Sequence, residues 1–418
     1  MVLNYMDLRR LSSSLLFRIV VAIILGVICS LFFPEWLARV FVTFNSLFGN
    51  FLNFFIPVLI FALITPAIAG LGRGAGKWLA ITTAIAYGST VFSGLVAYAV
   101  ARGLYPALLG DEQVADDVAD VDEGALASFF TIEMPPPFEV MTALLLAFCL
   151  GVAMTVVKSD TLFKVTRDLE RVVMKVISAF VIPLLPIFIF GTFLGLGMNG
   201  NLIDTLVTFG KVIIVATVMT IILLLIQFTV AGALTGRNPL TALKNMLPAY
   251  ATALGTSSSA ATIPVTYEAA RKNGVETNVA GFVIPLCATI HLGGSMMKLT
   301  LFAFAIVAMA GLEVSVPLAI GFILMLGVTM IAAPGVPGGA VMAAVGLLGS
   351  MLGFDESMIA LMIAAYIAID SFGTAANVTG DGAIALIINK FAKGRLDIRR
   401  DDEEAFAVPG VSTDHTRD

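Results

Sequence analysis

The fold class this sequence predicts is an all-α polytopic membrane protein with eight transmembrane helices and two re-entrant helical hairpins. Three observations lead there. Of its 418 residues, 59% are hydrophobic and only 13% are charged, against about 25% charged in a soluble domain. Mean hydropathy is +0.99. The apolar residues come in long runs, and about 20 suffice to cross a bilayer. So much apolar surface with so little charge excludes a disordered chain. A net charge of −5 excludes the basic face of a nucleic-acid binder.

Taken in order, the spanning runs lie near 14–35, 40–70, 78–106, 137–157, 173–197, 203–234, 277–308 and 357–389. Arg9 and Arg10 precede the first run as in a signal peptide, but no small-residue cleavage site follows, so a retained span is expected. Two further stretches fit badly as simple spans. The first, about 246–270, carries Thr-Ser-Ser-Ser-Ala-Ala-Thr at its middle. The second runs without charge from Val314 to Phe354, too long for one helix across a bilayer, and Pro334 to Gly339 break it. A Pro/Gly break there predicts a hairpin that enters and leaves on one side.

Charge gives the orientation. With both hairpins re-entrant and both termini cytoplasmic, the basic residues from Arg9 and Arg10 through Arg73, Lys77, Lys164, Arg167, Arg171, Arg237, Arg271 and Lys272 to Arg400 fall on one side. The segment from Leu108 to Pro135 then lies outside as a solvated acidic loop, with Asp111, Glu112, Asp116, Asp117, Asp120, Asp122 and Glu123. Cys29, Cys149 and Cys287 stand apart in apolar runs and read as packing residues. His291 and His415 are too few for a histidine-built metal site, and no cofactor is expected.

The second half echoes itself. A hydroxyl-rich hairpin tip precedes a span interrupted at His291-Leu-Gly-Gly-Ser295. A Gly/Pro tip precedes a span holding Asp370, Gly373, Thr374, Asn377 and Asp381. Paired broken elements of this kind point to a transporter's midplane site. An ionised residue at mid-bilayer costs about 2.5–3.5 kcal/mol on insertion scales. Asp370, Thr374, Asn377 and Asp381 repeat at helical spacing and share one face. That face must meet a cavity, a ligand or polar protein. Its carboxylates suit a substrate ammonium or a dehydrated cation such as sodium, and carbonyls freed near Gly293 and Gly294 would add ligands. Ser257, Ser258 and Ser259 offer hydroxyls and free N–H groups for a carboxylate. His291 is a candidate proton carrier. Lys298 reads either as a snorkelling residue near the membrane edge, the preferred reading, or as a counter-charge to one aspartate.

These motifs resemble those of the dicarboxylate/amino acid:cation symporters, the family with the glutamate and neutral amino acid transporter fold. The likeness rests on Thr256 to Val265, Pro285 to Ile290, Gly335-Val-Pro-Gly-Gly339, and Asp370 through Asn377-Val-Thr-Gly-Asp381. It implies a homotrimer in the lipid bilayer of the cell (plasma) membrane, working as an elevator. Scaffold spans one and two would occupy 1–75 and scaffold spans four and five 137–200. The transport region would comprise the third span at 76–107 and all of 201–392, with an extracellular loop at 108–136 and a cytoplasmic tail at 393–418. Asp370 matches the group that holds a substrate's ammonium, and Asn377 and Ser259 match those that hold its carboxylate. Ser258, Leu292, Ser295, Gly339, Gly373 and Thr374 complete the implied substrate site. Asp381, Asn377, Cys287, Thr289 and His291 make up the implied cation site. Gly335, Val336, Pro337 and Gly338 form the implied extracellular gate.

Three departures from the family pattern shape the expectation. The usual Asn-Met-Asp-Gly-Thr reads His291-Leu-Gly-Gly-Ser295, which removes one sodium site while Ser89 and Thr90 remain, and alters a second. Gly373 stands where acidic-substrate carriers have an arginine, so an acidic side chain loses its bidentate partner and room is left. Met330 and Ala333 replace hydroxyls near the gate. The expected function is a symporter importing a neutral zwitterionic amino acid with Na+, with H+ as an optional second coupling ion, and not an enzyme. The alternative of the same fold is a carrier of C4-dicarboxylates or acidic amino acids, with Lys298 in place of the arginine. A cation-gated anion channel is a third class. A remote fourth is an intramembrane hydrolase using Ser257 with His291 as its base.

Overall fold

The computed structural model describes residues 15–71, 76–109, 126–157, 159–198, 200, 202–333 and 337–392, and among them every regular element is a helix. In chain order these are α1 (Leu15–Ser30), α2 (Glu35–Leu71), α3 (Gly76–Leu109), α4 (Val140–Val157), α5 (Asp160–Val176) and, after a π-helical turn at Ile177–Val181, α6 (Ile182–Met198). Then come α7 (Leu202–Thr235), α8 (Pro239–Thr256), α9 (Ser259–Lys272), α10 (Thr277–Ile290), α11 (Gly293–Met309), α12 (Val316–Ile331), α13 (Gly339–Leu352), α14 (Glu356–Ala368) and α15 (Asp370–Ala392).

Among the described residues, six stretches are long and apolar enough to cross a membrane, or seven if α14 and α15 count as one bent span. Eight were expected. The missing one is the first, because α1 has only 16 described residues. The last expected span is not straight: α14 and α15 meet at 61°, with Ile369 between them and Asp370 opening the second helix. The basic segment expected as a loop around Lys164, Arg167 and Arg171 is helical α5, continuous with α6. Its charges pair along one face, Arg167 with Glu170 at 3.2 Å and Arg171 with Asp168 at 2.8 Å, while Thr166 and Val173 are buried two turns apart. That is the pattern of an amphipathic helix. The acidic residues 111–123, the tail 393–418, Arg9, Arg10, Arg73 and His415 lie outside the described residues. The segment 126–135 runs along α2, where Arg39, Thr43 and Asn50 hydrogen-bond Ala127, Phe129 and Ile132.

Both hairpins form. In the first, α8 packs on α9. Asn238 caps its start through the N–H groups of Leu240 and Thr241, and the amides of Asn245 and Asn273 link its two arms. In the second, α12 packs on α13, and Ser315 caps its start. The packing sorts the helices. α2 packs on α4, α5 and α6 and α1 on α6, while α3, α7 and α12 to α15 pack on α11, and α8, α9 and α10 pack on α15. α11 is buried at every position except Ala308, and α15 throughout Gly373 to Leu386. Side chains such as Leu145, Val156, Val165 and Ile214 are exposed on the outer helices. An apolar exterior around a core that holds the charges suits lipid on the outside.

Candidate functional site

The chain turns away from regular helix at three places that meet in the core: His291–Leu292 between α10 and α11, Ile369 between α14 and α15, and the tip of the second hairpin. Breaks leave backbone groups without helical partners, and here side chains of α15 and α11 supply them. Asn377 caps α11 from outside. Its Oδ1 accepts from the N–H groups of Gly294 at 2.8 Å and Ser295 at 3.2 Å, and its Nδ2 donates to Ser295 Oγ at 3.0 Å. Tyr366 also donates to that hydroxyl, at 2.9 Å. This approach needs glycine at 294, where a Cβ would stand 2.6 Å from Ala376 Cβ and from the Gly373 carbonyl.

Asp370 sits at the first position of α15, where the helix dipole favours a carboxylate. Its Oδ2 accepts from the Gly338 N–H at 2.8 Å, which ties it to the second hairpin. Gly338 has φ +73°, a left-handed turn suited to glycine. The Lys298 ammonium lies 4.0 Å from Asp370 Oδ1. It donates to the carbonyls of Ile369 at 2.8 Å and Asp370 at 3.3 Å, and sits 4.3 Å from the centre of the Tyr366 ring. Lys298 is fully buried, which corrects the preferred membrane-edge reading: it is the counter-charge to an aspartate. It also takes the room that Gly373 was expected to leave, since a Cβ at 373 would overlap Lys298 Cε and Nζ.

Further along α15, Asp381 Oδ1 lies 2.8 Å from His291 Nδ1, both side chains being buried. His291 caps the C-terminal end of α10, the end that favours positive charge. Its Nε2 lies 3.1 Å from Ser89 Oγ, which also accepts from Gln227 Nε2 at 3.0 Å. With Asp381 and Ser89 on its two ring nitrogens, His291 has none left for Ser257, and the hydrolase reading loses its base. Asp381 Oδ2, Gln227 Oε1 and Thr90 Oγ1 are buried without a hydrogen-bond partner among the described residues. Each expected intramembrane acid thus faces a basic side chain from the interrupted seventh span, an arrangement that spacing along α15 alone did not show.

The remaining expected residues divide. Thr374 Oγ1 donates back to the Asp370 carbonyl at 3.2 Å. Leu292, Cys287 and Gly339 are buried. Thr289 Oγ1 donates to its own helix at Leu286. At the first hairpin tip Ser257 adopts φ +49°, and Ser258 caps α9 by accepting from the Ala261 N–H. The N–H groups of Ser257, Ser258 and Ala261 all have internal partners, fewer free donors than expected. Ser259 is buried, and α9 packs on α15. Met330 and Ala333 are buried in the apolar core. Of the gate residues, Pro337 and Gly338 are described, while Gly335 and Val336 lie outside the described residues. Gln227 and Tyr366 went unnoticed in the sequence, although a lone amide in the run from Ile221 to Phe228 was a usable signal.

Comparison with known proteins fits this geometry. The model of the sodium:dicarboxylate symporter family matches residues 15–391. The chain belongs to that family. Among curated relatives, the serine/threonine transporter SstT of Acinetobacter baumannii is 26% identical over 353 residues, covering 79% of this chain and 84% of the relative. The protein of the same name from Bifidobacterium adolescentis is 28% identical over 348 residues, covering 79% and 78%. An excitatory amino acid transporter of Caenorhabditis elegans is 30% identical over 164 residues, covering 39% and 32%. The symporter is therefore a multi-pass membrane transporter of small molecules and not an enzyme.

Proposed function

We propose that this symporter imports a small neutral amino acid, driven by Na+ and by a proton carried on His291. The observation that carries this reading is the position of Asp370, a buried carboxylate between a helix break, a hairpin tip and a single committed ammonium. In this reading Asp370 takes the substrate's ammonium. The Ser258–Ser259 tip takes its carboxylate, helped by Asn377, Ser295 and Thr374. A neutral side chain is favoured because Lys298 is already engaged with two carbonyls and Asp370, so that among the described residues of this site no free cation remains for an acidic one. A small one is favoured because Lys298 fills the space beside Gly373. The serine/threonine transporters among the relatives agree with this size and charge.

Asp381 Oδ2, buried and without a partner, is the oxygen that a sodium ion would take, joined by backbone carbonyls near Cys287 and Asn377. Cation and substrate together favour closure, because an uncompensated charge resists crossing. The proposed assembly is a homotrimer in the plasma membrane with cytoplasmic termini. α3 and α7 to α15 move as the elevator against α1, α2 and α4 to α6, and the second hairpin serves as the outer gate.

A second reading, transport of a C4-dicarboxylate or acidic amino acid, draws support from the same Lys298, a fixed positive charge where acidic carriers have their arginine. Uptake into proteoliposomes under sodium, proton-only and no gradient separates the two. Serine or alanine uptake that follows a cation gradient is expected. Block by succinate or aspartate with serine and alanine inert would replace the first reading with the second, and gradient-independent uptake would overturn both.

A further inference from the structure

We propose that Lys298 is a tethered counter-cation: it neutralises Asp370 in the substrate-free carrier, so that the empty site closes and returns without taking a cation from the cytoplasm. This rests on the reading of Asp370 as the group that holds the substrate's ammonium.

Both oxygens of Asp370 face groups of the protein itself. Oδ2 accepts from the Gly338 N–H, which ties the start of α13 to the carboxylate. Oδ1 faces the ammonium of Lys298 at 4.0 Å. The rest of the cage around that ammonium is what a free cation would seek at a broken helix: the carbonyls of Ile369 and Asp370 at the α14–α15 bend, each of which also accepts from within α15, and the face of the Tyr366 ring. A covalently held cation fills it permanently. Gly373 is the matching adaptation, because any side chain there would overlap the Lys298 amine. A lone buried carboxylate resists crossing the bilayer, whereas this pair carries no net charge. A zwitterionic substrate adds none. The empty and loaded forms of this end of the site therefore cross with the same charge, and the return step has no need of an exported ion.

The test uses purified full-length protein in proteoliposomes and compares the parent with Lys298→Met, which keeps an apolar stem without the charge. Net uptake of labelled serine into empty vesicles measures the return of the unloaded carrier, while exchange against luminal serine bypasses it. Parent net uptake is expected to be equal with luminal potassium or luminal N-methylglucamine. In Lys298→Met the ratio of net uptake to exchange should fall about tenfold or more, and luminal potassium should restore part of it. A parent that needs luminal potassium, or an unchanged ratio in the variant, overturns the proposal. A lysine that only stabilises the fold would lower both modes together, and that outcome also overturns it. If the parent moves neither amino acids nor dicarboxylates in either mode, the functional reading fails instead. The pairing is then judged by thermal unfolding. Asp370→Asn should recover stability in the Lys298→Met background, and strictly additive losses would refute the pair.

Discussion

Asp370 and Asp381 lie on one helix, three turns apart and both buried, but they are partnered differently. Asp370 is held at the start of α15 by a backbone N–H and a lysine, in a cage of carbonyls and an aromatic ring. Asp381 lies in mid-helix against an imidazole, which in turn meets only a neutral hydroxyl and amide, and one of its oxygens stays without a partner. The first acid is thus satisfied by tethered groups, and the second keeps an oxygen free. The two hairpins differ in a related way. The serine-rich tip bonds to itself through Thr256, Ser258 and Thr262, while the Gly/Pro tip lacks such side chains and is fastened by Asp370. Under the proposed function, a gate fastened by the group that takes the substrate's ammonium can sense what that group holds.

Breaking the comparison at the first acid should have the largest effect. Asp370→Asn is expected to lower serine uptake and exchange by about a hundredfold or more, since truncating one partner of a buried charge pair costs roughly 2–5 kcal/mol. Radiolabelled flux in proteoliposomes checks it. Asp381→Asn should cut gradient-driven uptake by about tenfold or more, near 1.4 kcal/mol, while exchange falls much less. Equal losses in both modes would erase the difference between the two acids. His291→Gln is expected to abolish uptake driven by a proton gradient alone and to leave sodium-driven uptake measurable, because an amide keeps a hydrogen-bonding side chain but cannot carry the proton. Gly373→Ala should cost about 1–3 kcal/mol of stability by overpacking against Lys298, and Lys298→Ala in the same chain should relieve it. Thermal unfolding of the single and double variants reads this. The smallest effect belongs to Asp355→Ala, far from either acid in role: it removes the cap on the Met358 N–H, for about 1 kcal/mol, with uptake per folded molecule unchanged.

Much of this protein was legible before folding. The apolar runs, the hairpins at Ser257 and Pro334, the interruption at His291 and the polar face of α15 follow from periodicity, breakers and the cost of charge in lipid, all local properties. The helix α5 shows in the i, i+3 spacing of its charges and not in their number. The bend at Ile369 carries no proline or glycine to announce it, so the placement of Asp370 at a helix start was invisible.

The amino-acid sequence by itself determined that two acids would sit in the membrane and that something must compensate them, because composition and spacing decide which residues are dehydrated. Only the tertiary structure decided the partners. Lys298 and His291 are seven residues apart on a different segment, and whether a long side chain reaches the membrane edge or folds inward depends on the space its neighbours leave. Here Gly373 leaves that space, and it draws the lysine to Asp370.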